Sequence, residues 1–127
     1  MERINISPQR ILVVDDEPYV CDALRMMLTL DGHTVATASS GHEALELYGR
    51  QTFDLVITDY SMAVMKGDEL AAAIKLKNAS QPVLMITAYA EMLAGAKTPL
   101  SGVDALVSKP FRVEHLRDAI ARVLEVK

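Results

Sequence analysis

Short apolar runs alternate with amphipathic segments along most of this chain. The runs are rich in Val, Ile and Leu and predict five buried strands, at residues 11–14, 34–38, 55–58, 83–86 and 105–107. Apolar residues at three- and four-residue spacing predict helices at about 18–31, 41–48, 68–77 and 113–124. Strands that alternate with helices favour right-handed βαβ crossovers. We therefore expect an α/β fold, with a parallel sheet covered by helices on both faces.

Local signals agree with two of the helix starts. Pro18 suits a first helical turn, where its missing N–H costs nothing. Ser40 and Glu43 have the spacing of a capping box, which predicts that a helix begins between them.

The alternation also predicts a fifth helix within residues 90–102, but the composition of this segment opposes one. Gly95, Pro99 and Gly102 all disfavour helix. We expect a short helix that ends before Pro99, in the least ordered part of the domain.

Length and composition indicate a single domain. The chain has 127 residues, half of them hydrophobic, which is enough for one core. Residues 1–9 are interpreted as a polar lead-in, and residues 10–127 as the domain. Cys21 falls beside an apolar helix face, which favours a buried, inert thiol.

The net charge indicates which kinds of partner to expect, and the lack of targeting signals indicates the location. A net charge of −4 argues against direct contact with nucleic acid or an anionic membrane, so we expect proteins or ions as partners. The sequence has no signal peptide and no apolar run of membrane length. A cytoplasmic location is expected.

Polar side chains follow four of the predicted strands at the point where each strand ends. Asp15 and Asp16 follow the first strand and Asp59 follows the third. Thr87 follows the fourth strand, and Lys109 comes shortly after the fifth. Any one of these acids could merely cap a helix or close a turn. As a set they predict a site, because the carboxyl ends of parallel strands meet at one edge of a sheet.

Three carboxylates at one edge would favour a divalent cation. Asp15, Asp16 and Asp59 would concentrate negative charge, which raises pKa values or recruits a cation. Hard oxygen ligands suit Mg²⁺ best. The three histidines are scattered along the chain and are interpreted as surface or capping residues: His33, His42 and His115.

The same cluster could carry out phosphoryl transfer. Beside a cation, Lys109 and Thr87 could hold the peripheral oxygens of a phosphoryl group. Asp59 would then be the nucleophile, since carboxylates can form acyl phosphates.

Four short motifs surround these residues: VVDDEP at 13–18, TD at 58–59 with Met62 and Gly67 following, ITA at 86–88, and SKPF at 108–111. Together they resemble the receiver domain of two-component response regulators, and the chemotaxis response regulator in particular. The resemblance extends from Arg10 to the C-terminus. It implies a flavodoxin-like, doubly wound sheet of five parallel strands in the order 2-1-3-4-5.

The resemblance also assigns roles to single residues. It implies that Asp15, Asp16, Asp59 and the backbone carbonyl of Ser61 bind Mg²⁺. Asp59 would accept the phosphoryl group from a phosphohistidine on a sensor histidine kinase or a phosphotransfer protein. The protein would thus be a signalling phosphoacceptor rather than an enzyme, and would act on a downstream protein target or an output domain.

Other positions are assigned around the phosphoryl group. Thr87 and Lys109 would bind its oxygens, and the small Ala88 would leave room for them. The peptide bond before Pro110 would commonly be cis.

Three features depart from the family pattern. Ala63 stands where a proline is usual, so the loop after Asp59 is expected to be less rigid. Leu106 stands where many members carry an aromatic residue that moves inward on phosphorylation. The third is the segment 90–102, where Gly and Pro weaken the fourth helix, part of the face by which many members dimerise or bind targets. With the aromatic residue absent as well, we expect the response to phosphorylation to appear as ordering or displacement of that segment, involving Tyr89.

Two other classes of protein share part of this pattern. A phosphohydrolase of the dehalogenase type also uses an Asp nucleophile with Mg²⁺, but normally carries a second Asp two residues later, where this chain has Ser61. An interaction module that is never phosphorylated would be expected to have lost Asp59, Lys109 or the acid pair. The sequence leaves open whether the chain acts alone or is one domain of a longer regulator.

Overall fold

The computed structural model describes residues 6–90, 93 and 102–125. Five strands form one sheet: β1 (Arg10–Val14), β2 (Thr34–Ala38), β3 (Leu55–Asp59), β4 (Val83–Thr87) and β5 (Ala105–Ser108). All neighbouring strands pair in parallel, in the order β2-β1-β3-β4-β5. The predicted α/β class, the flavodoxin-like topology and the order 2-1-3-4-5 are confirmed.

The described ranges contain these complete helices: α1 (Pro18–Leu30), α2 (Gly41–Arg50), α3 (Gly67–Lys77) and α4 (Val113–Glu125). Between β4 and β5, a helical turn begins at Ala90, and the N–H of Leu93 donates to the carbonyl of Tyr89 at 2.9 Å. Most of the segment 90–102 lies outside the described residues. The expected short helix and the low order of that segment therefore stay predictions.

The helix signals have the predicted local effect. Pro18 occupies the first turn of α1. At α2, the Ser40 hydroxyl accepts the N–H of Glu43 at 3.1 Å, while the Glu43 carboxylate accepts the N–H of Ser39 at 2.7 Å. The capping is thus reciprocal, with Glu43 reaching one residue further back than expected.

The core lies in two layers, one on each face of the sheet. On one face, α1 and α4 pack through buried Leu24, Leu28, Leu116 and Ile120. On the other face, α2 and α3 pack through buried residues that include Ala44, Leu70 and Ile74. β3 and β4 are buried along their whole length, which is why their sequences are nearly continuous apolar runs.

Cys21 is buried in the first of these layers. Its thiol lies 3.3 Å from the carbonyl oxygen of Asp15, to which it donates. Burial raises the pKa of the Cys21 thiol, and the negative charge of Asp15 raises it further. The prediction of a buried, inert thiol is confirmed in its burial, and the raised pKa favours the unreactive form.

Two aspartates fix the starts of neighbouring strands, β1 with β3 and β4 with β5. Asp54 accepts the N–H of Arg10 at 2.8 Å through its carboxylate and donates its own N–H to the Arg10 carbonyl at 2.7 Å. Asp104 makes the same pair of bonds to Val83, both at 2.8 Å. Each clamp sets the register of two adjacent strands, and with it the level at which their carboxyl ends finish.

The first residue of α3 rests on the backbone of Asp59. The N–H of Gly67 donates to the carbonyl of Tyr60 at 2.9 Å. A Cβ at position 67 would overlap the carbonyl oxygen of Asp59 and lie 2.9 Å from the Cα of Tyr60. Only glycine permits this close approach of the helix to the end of β3.

His33 is buried, at 7% exposure, so the prediction of a surface or capping role was wrong for this residue. Its Nδ1 accepts the backbone N–H of Gln9 at 3.0 Å, and the Gln9 carbonyl accepts the N–H of Thr34 at 2.9 Å. The ring therefore fastens Gln9 to the start of β2. His42 and His115 are exposed, as predicted.

Substitution of Gly67 by Ala should destabilise the protein. The added methyl group has to displace backbone rather than a flexible side chain, which costs about 1–3 kcal/mol. The matched control is Gly49→Ala in α2, where nothing lies within 4 Å of the new Cβ. That variant should gain about 0.5–1 kcal/mol from helix propensity. Urea unfolding of both variants measures the difference, and equal effects would contradict the contact at Asp59.

Acid should weaken the hydrogen bond between Gln9 and His33. Burial lowers the pKa of His33 below its ordinary value of 6.5, with the charge of Asp31 opposing the change. The unfolded chain therefore takes up a proton before the folded protein does, so stability falls as pH drops below about 6.5. Protonated Nδ1 can no longer accept the N–H of Gln9.

Urea unfolding between pH 7 and 5, with amide exchange at Gln9, tests this dependence. His33→Gln should flatten the pH profile of stability, whereas the exposed-site control His115→Gln should retain it. A profile that is the same for the wild type and His33→Gln would contradict the role of the ring.

Candidate functional site

The predicted acids meet at the carboxyl edge of the sheet. Asp59 ends β3, while Asp15 and Asp16 follow β1 directly. These are adjacent, parallel strands. Carboxylate oxygens of the three residues all lie within 4.8 Å of one another. The predicted acid cluster is therefore present.

The three acids differ in their exposure. Asp15 and Asp59 are buried, at 2% and 6%, whereas Asp16 is exposed. Two charges are thus held in the protein, and the third faces solvent at the mouth of the site. The cluster is accessible from one side, through the loops that follow the strands.

Lys109 lies between the two buried acids. Its Nζ is 3.0 Å from Asp59 Oδ1 and 3.1 Å from Asp15 Oδ2. Glu17, whose proximity the sequence analysis missed, brings an exposed carboxylate to 3.5 Å from the same nitrogen. Its position directly after the acid pair is the only sequence signal that could have indicated this. One ammonium thus faces several carboxylates, and the site keeps an excess of negative charge.

Burial and charge act against each other on these groups. Burial raises the pKa of Asp59 above its usual value, and the negative charge of Asp15 adds to this, although the hydrogen bond from Lys109 opposes it. Burial likewise raises the pKa of Asp15, against hydrogen bonds from the Glu17 N–H and from Lys109. For Lys109, burial acts to lower the pKa, but the hydrogen bonds and charges of Asp59 and Asp15 prevail and raise it. The ammonium is therefore firmly charged, and the carboxylates are short of positive charge.

The donor set fits a hard divalent cation. The clustered atoms are all carboxylate oxygens, with no His or Cys among them in the described ranges. The carbonyl of Ser61, expected as a further ligand, belongs to an exposed residue. No hydrogen bond to that carbonyl is formed in the part of the chain that the structure describes. Oxygen donors with uncompensated charge are what Mg²⁺ prefers.

Thr87 ends β4 beside the acid cluster, and its hydroxyl is oriented by the backbone. The side chain is buried, and its Oγ1 accepts the N–H of Tyr89 at 3.0 Å. With this acceptor position used, the hydroxyl proton remains available for an incoming oxygen. The N–H of Lys109 donates to the Thr87 carbonyl at 2.9 Å, which ties the ends of β4 and β5 together.

Methionines anchor the loop between β3 and α3. Met62 is buried. Met65 packs against Gly41 at the start of α2, where a Cβ would lie 2.9 Å from the Met65 Cγ. The loop thus has two apolar attachments, although Ala63 replaces the proline that the family pattern would place there.

The remaining expected positions lie directly after β4, on β5 and directly after β5. The Lys109–Pro110 peptide bond is cis, as the resemblance implied. Leu106 is half-buried on the edge strand, and Ala88 is exposed beside Thr87.

A bilayer crossing is not built into the described segments, since none of their helices combines the necessary length and apolar character.

Comparison with known proteins agrees with this site. The response regulator receiver domain family matches residues 11–121. The transcriptional regulatory protein GlrR of Escherichia coli is 36% identical over 119 residues, which are 94% of this chain and 27% of GlrR. The probable transcriptional regulatory protein TcrX of Mycobacterium tuberculosis is 33% identical, over 91% of this chain and 50% of TcrX. The chain thus spans a quarter to a half of the length of these curated relatives.

Solved structures show the same fold. The response regulator TrrA of Thermotoga maritima, in complex with Mg²⁺ and BeF, superposes with a TM-score of 0.82 and 33% identity, over 91% of this chain and 99% of TrrA. The chemotaxis response regulator CheY4 of Vibrio cholerae gives a TM-score of 0.79 and 29% identity, over 93% of this chain and all of CheY4.

These matches decide against one of the two other classes of protein that the sequence left open. A phosphohydrolase of the dehalogenase type is not the family of this chain. The family match over most of the length, on a sheet whose carboxyl edge gathers the acids and the lysine, shows that the chain belongs to the response regulator receiver domains, which work in two-component phosphorelay signalling.

Proposed function

We propose that Asp59 accepts a phosphoryl group from a phosphohistidine on a sensor histidine kinase or a phosphotransfer protein, in a reaction that requires Mg²⁺. One observation carries the proposal: the Asp59 carboxylate is buried within 4.8 Å of Asp15 and Asp16 and 3.0 Å from the ammonium of Lys109. Asp15 has the same two kinds of neighbour, but both of its carboxylate oxygens already accept hydrogen bonds, from the Glu17 N–H and from Lys109.

The bonding change can be assigned to one oxygen. The Lys109 ammonium lies 3.0 Å from Oδ1 of Asp59, and no hydrogen bond to Oδ2 is formed among the described residues. Oδ2 would attack phosphorus as the P–N bond to the imidazole breaks, with the electron pair remaining on the ring nitrogen. The product is an acyl phosphate, and such transfers need mainly positioning and charge neutralisation from the protein.

The residues that would hold Mg²⁺ are Asp15, Asp16, Asp59 and the carbonyl of Ser61. When bound, Mg²⁺ supplies positive charge that offsets the phosphoryl oxygens and the carboxylates. The site keeps few protein ligands, which suits an ion that retains several waters.

Lys109 and Thr87 would bind those oxygens of the phosphoryl group that Mg²⁺ does not contact. The Lys109 ammonium has to leave part of its contact with the two aspartates to reach a phosphoryl oxygen. The Thr87 hydroxyl can donate directly, because its acceptor position is already filled by the N–H of Tyr89. Small Ala88 leaves space for the phosphoryl group.

The wider assignment follows the same reasoning. Residues 10–127 would form the receiver domain, with residues 1–9 as its lead-in. GlrR is a transcriptional regulatory protein much longer than this chain. We therefore assign the output to a downstream protein or domain, with no direct contact between the acidic receiver and nucleic acid or membrane. The chain would act in the cytoplasm, as a phosphoacceptor rather than as an enzyme.

Replacement of Asp59 by Asn should prevent phosphorylation while leaving the fold intact. The amide cannot attack phosphorus, whereas it nearly matches the carboxylate in shape. Acetyl phosphate with Mg²⁺ serves as donor, and intact-protein mass spectrometry detects the adduct. Asp54→Asn, at the opposite end of β3, is the matched control and should label normally. Equal labelling of Asp59→Asn would refute the assignment, and no labelling of the wild type would support an unphosphorylated interaction module.

Added Mg²⁺ should stabilise the protein, and Asp16 should carry most of this effect. A ligand at about 100 times its Kd adds roughly 2.7 kcal/mol to the free energy of unfolding. Asp16→Ala should lose most of the gain, while Asp22→Ala, on the exposed face of α1, should keep it. Thermal unfolding with and without MgCl₂ measures the shift. If Asp16→Ala, or the wild type with a chelator, is phosphorylated without impairment, the acid pair is structural.

A further inference from the structure

The loop that leaves Asp59 contains one strained residue. Val64 has a φ of +70°, and across it the N–H of Met65 donates to the carbonyl of Ala63 at 2.8 Å. A hydrogen bond between residues two apart, around a central residue of positive φ, defines the rare and strained form of γ-turn. A β-branched side chain is a poor choice for it, because the left-handed region crowds its Cβ substituents.

Packing does not compensate for this strain. The Val64 side chain is 87% exposed, and Ala63 is exposed as well. The left-handed region lowers the population of an L-residue roughly 5- to 30-fold. The single hydrogen bond of the turn raises it by about 2- to 13-fold. Since these two effects are similar in size, neither the closed nor the open turn should dominate strongly.

The turn can open without disturbing the core. Met62 is buried on one side of it, and Met65 rests on Gly41 on the other. The bond between the turn residues lies between these anchors, on exposed backbone. The strain therefore falls on a local equilibrium of the loop and not on the stability of the whole domain.

The loop is also closed on itself next to the phosphoacceptor. The N–H of Gly67 donates to the Tyr60 carbonyl at 2.9 Å, so both ends are fixed at the end of β3. Because both ends of the loop 60–67 are fixed, a rotation of the peptide groups at Val64 requires compensating changes in the backbone dihedral angles of other loop residues. Ser61 is one of these residues, so a rotation at Val64 changes the orientation of the carbonyl that is the proposed Mg²⁺ ligand.

We infer that Val64 is a positioning residue that keeps the Mg²⁺ affinity of the site low, because it holds the closed, metal-competent turn at a fractional population. This inference rests on the proposed metal site. The apparent Kd of a ligand rises in proportion as its competent conformation becomes rarer. Val64 thereby sets how much Mg²⁺ is needed before Asp59 can be phosphorylated.

Substitutions at position 64 separate strain from hydrophobicity. Val64→Gly and Val64→Asn accept positive φ, so both should bind Mg²⁺ more tightly, with a Kd roughly 3- to 10-fold lower. Val64→Thr is the matched control, since it keeps the branched shape and the strain but replaces one of the two methyl groups by a hydroxyl. Its Kd should stay within about twofold of the wild type. Titration of each protein with MgCl₂ alone, followed by amide NMR shifts, gives the four values.

Amide exchange of Met65 without metal gives an independent measurement. Its N–H closes the turn, so exchange in Val64→Gly and Val64→Asn should be slower than in the wild type and in Val64→Thr. Equal Kd values and equal exchange in all four proteins would overturn the inference. So would a gain in urea resistance for Val64→Gly with Kd and exchange unchanged, because the whole fold would then carry the strain. If none of the proteins binds Mg²⁺, the proposed metal site is wrong, and the Met65 exchange still decides whether the turn has two states.

Discussion

The carboxyl edge of the sheet has more negative than positive charge, and the properties of the site depend on this imbalance. Three carboxylates lie within 4.8 Å of one another, two of them buried, and the ammonium of Lys109 is the cation that the described structure brings between them. Removing such charges from water is costly unless they are paired and hydrogen-bonded. The fold tolerates the cluster because one side stays open, where Asp16 faces solvent. What the fold needs as compensation, a compact cation, is also what phosphoryl transfer needs.

The acid cluster depends on the backbone, which places the ends of the strands next to one another. Helices cover both faces of the sheet, so the side chains that end the strands are directed to its edge. The clamps of Asp54 and Asp104 set the register at the opposite edge. Gly67 then lets α3 begin directly against the Asp59 backbone. The geometry of the site is thus fixed by main-chain contacts, whereas its chemistry is supplied by few side chains.

Much of this could be predicted from the sequence, for a physical reason. Buried parallel strands read as apolar runs, and a polar residue that ends such a run has to lie at the sheet edge. The positions of Asp15, Asp59 and Thr87 follow from that rule alone. The strand order does not, because apolar runs carry no information about which strands are neighbours; it came from the resemblance to receiver domains.

Two of the features that the sequence does not predict have a common cause. The sequence predicts a surface position for His33 because nothing in the neighbouring residues indicates that the backbone of Gln9 lies against it. The strain at Val64 is equally hidden, since a turn with positive φ is usually signalled by Gly, Asn or Asp. In both cases the deciding partner is a backbone group, and backbone groups are the same for every residue. Side-chain patterns therefore predict which residues meet, but not which peptide groups they meet.

The position of Lys109 also limits the order of events at the site. In the structure its ammonium is shared by Asp15 and Asp59, and these contacts raise its pKa, so it stays charged and in place. To hold a phosphoryl oxygen, Lys109 has to give up part of this pairing, which would leave the two buried carboxylates uncompensated. It can do so cheaply only after other positive charge has reached the acids. In the proposed function, Lys109 would thus act first as the counter-charge of the acid cluster and then as a ligand of the phosphoryl group, and the same carboxylates would determine when it changes from one role to the other.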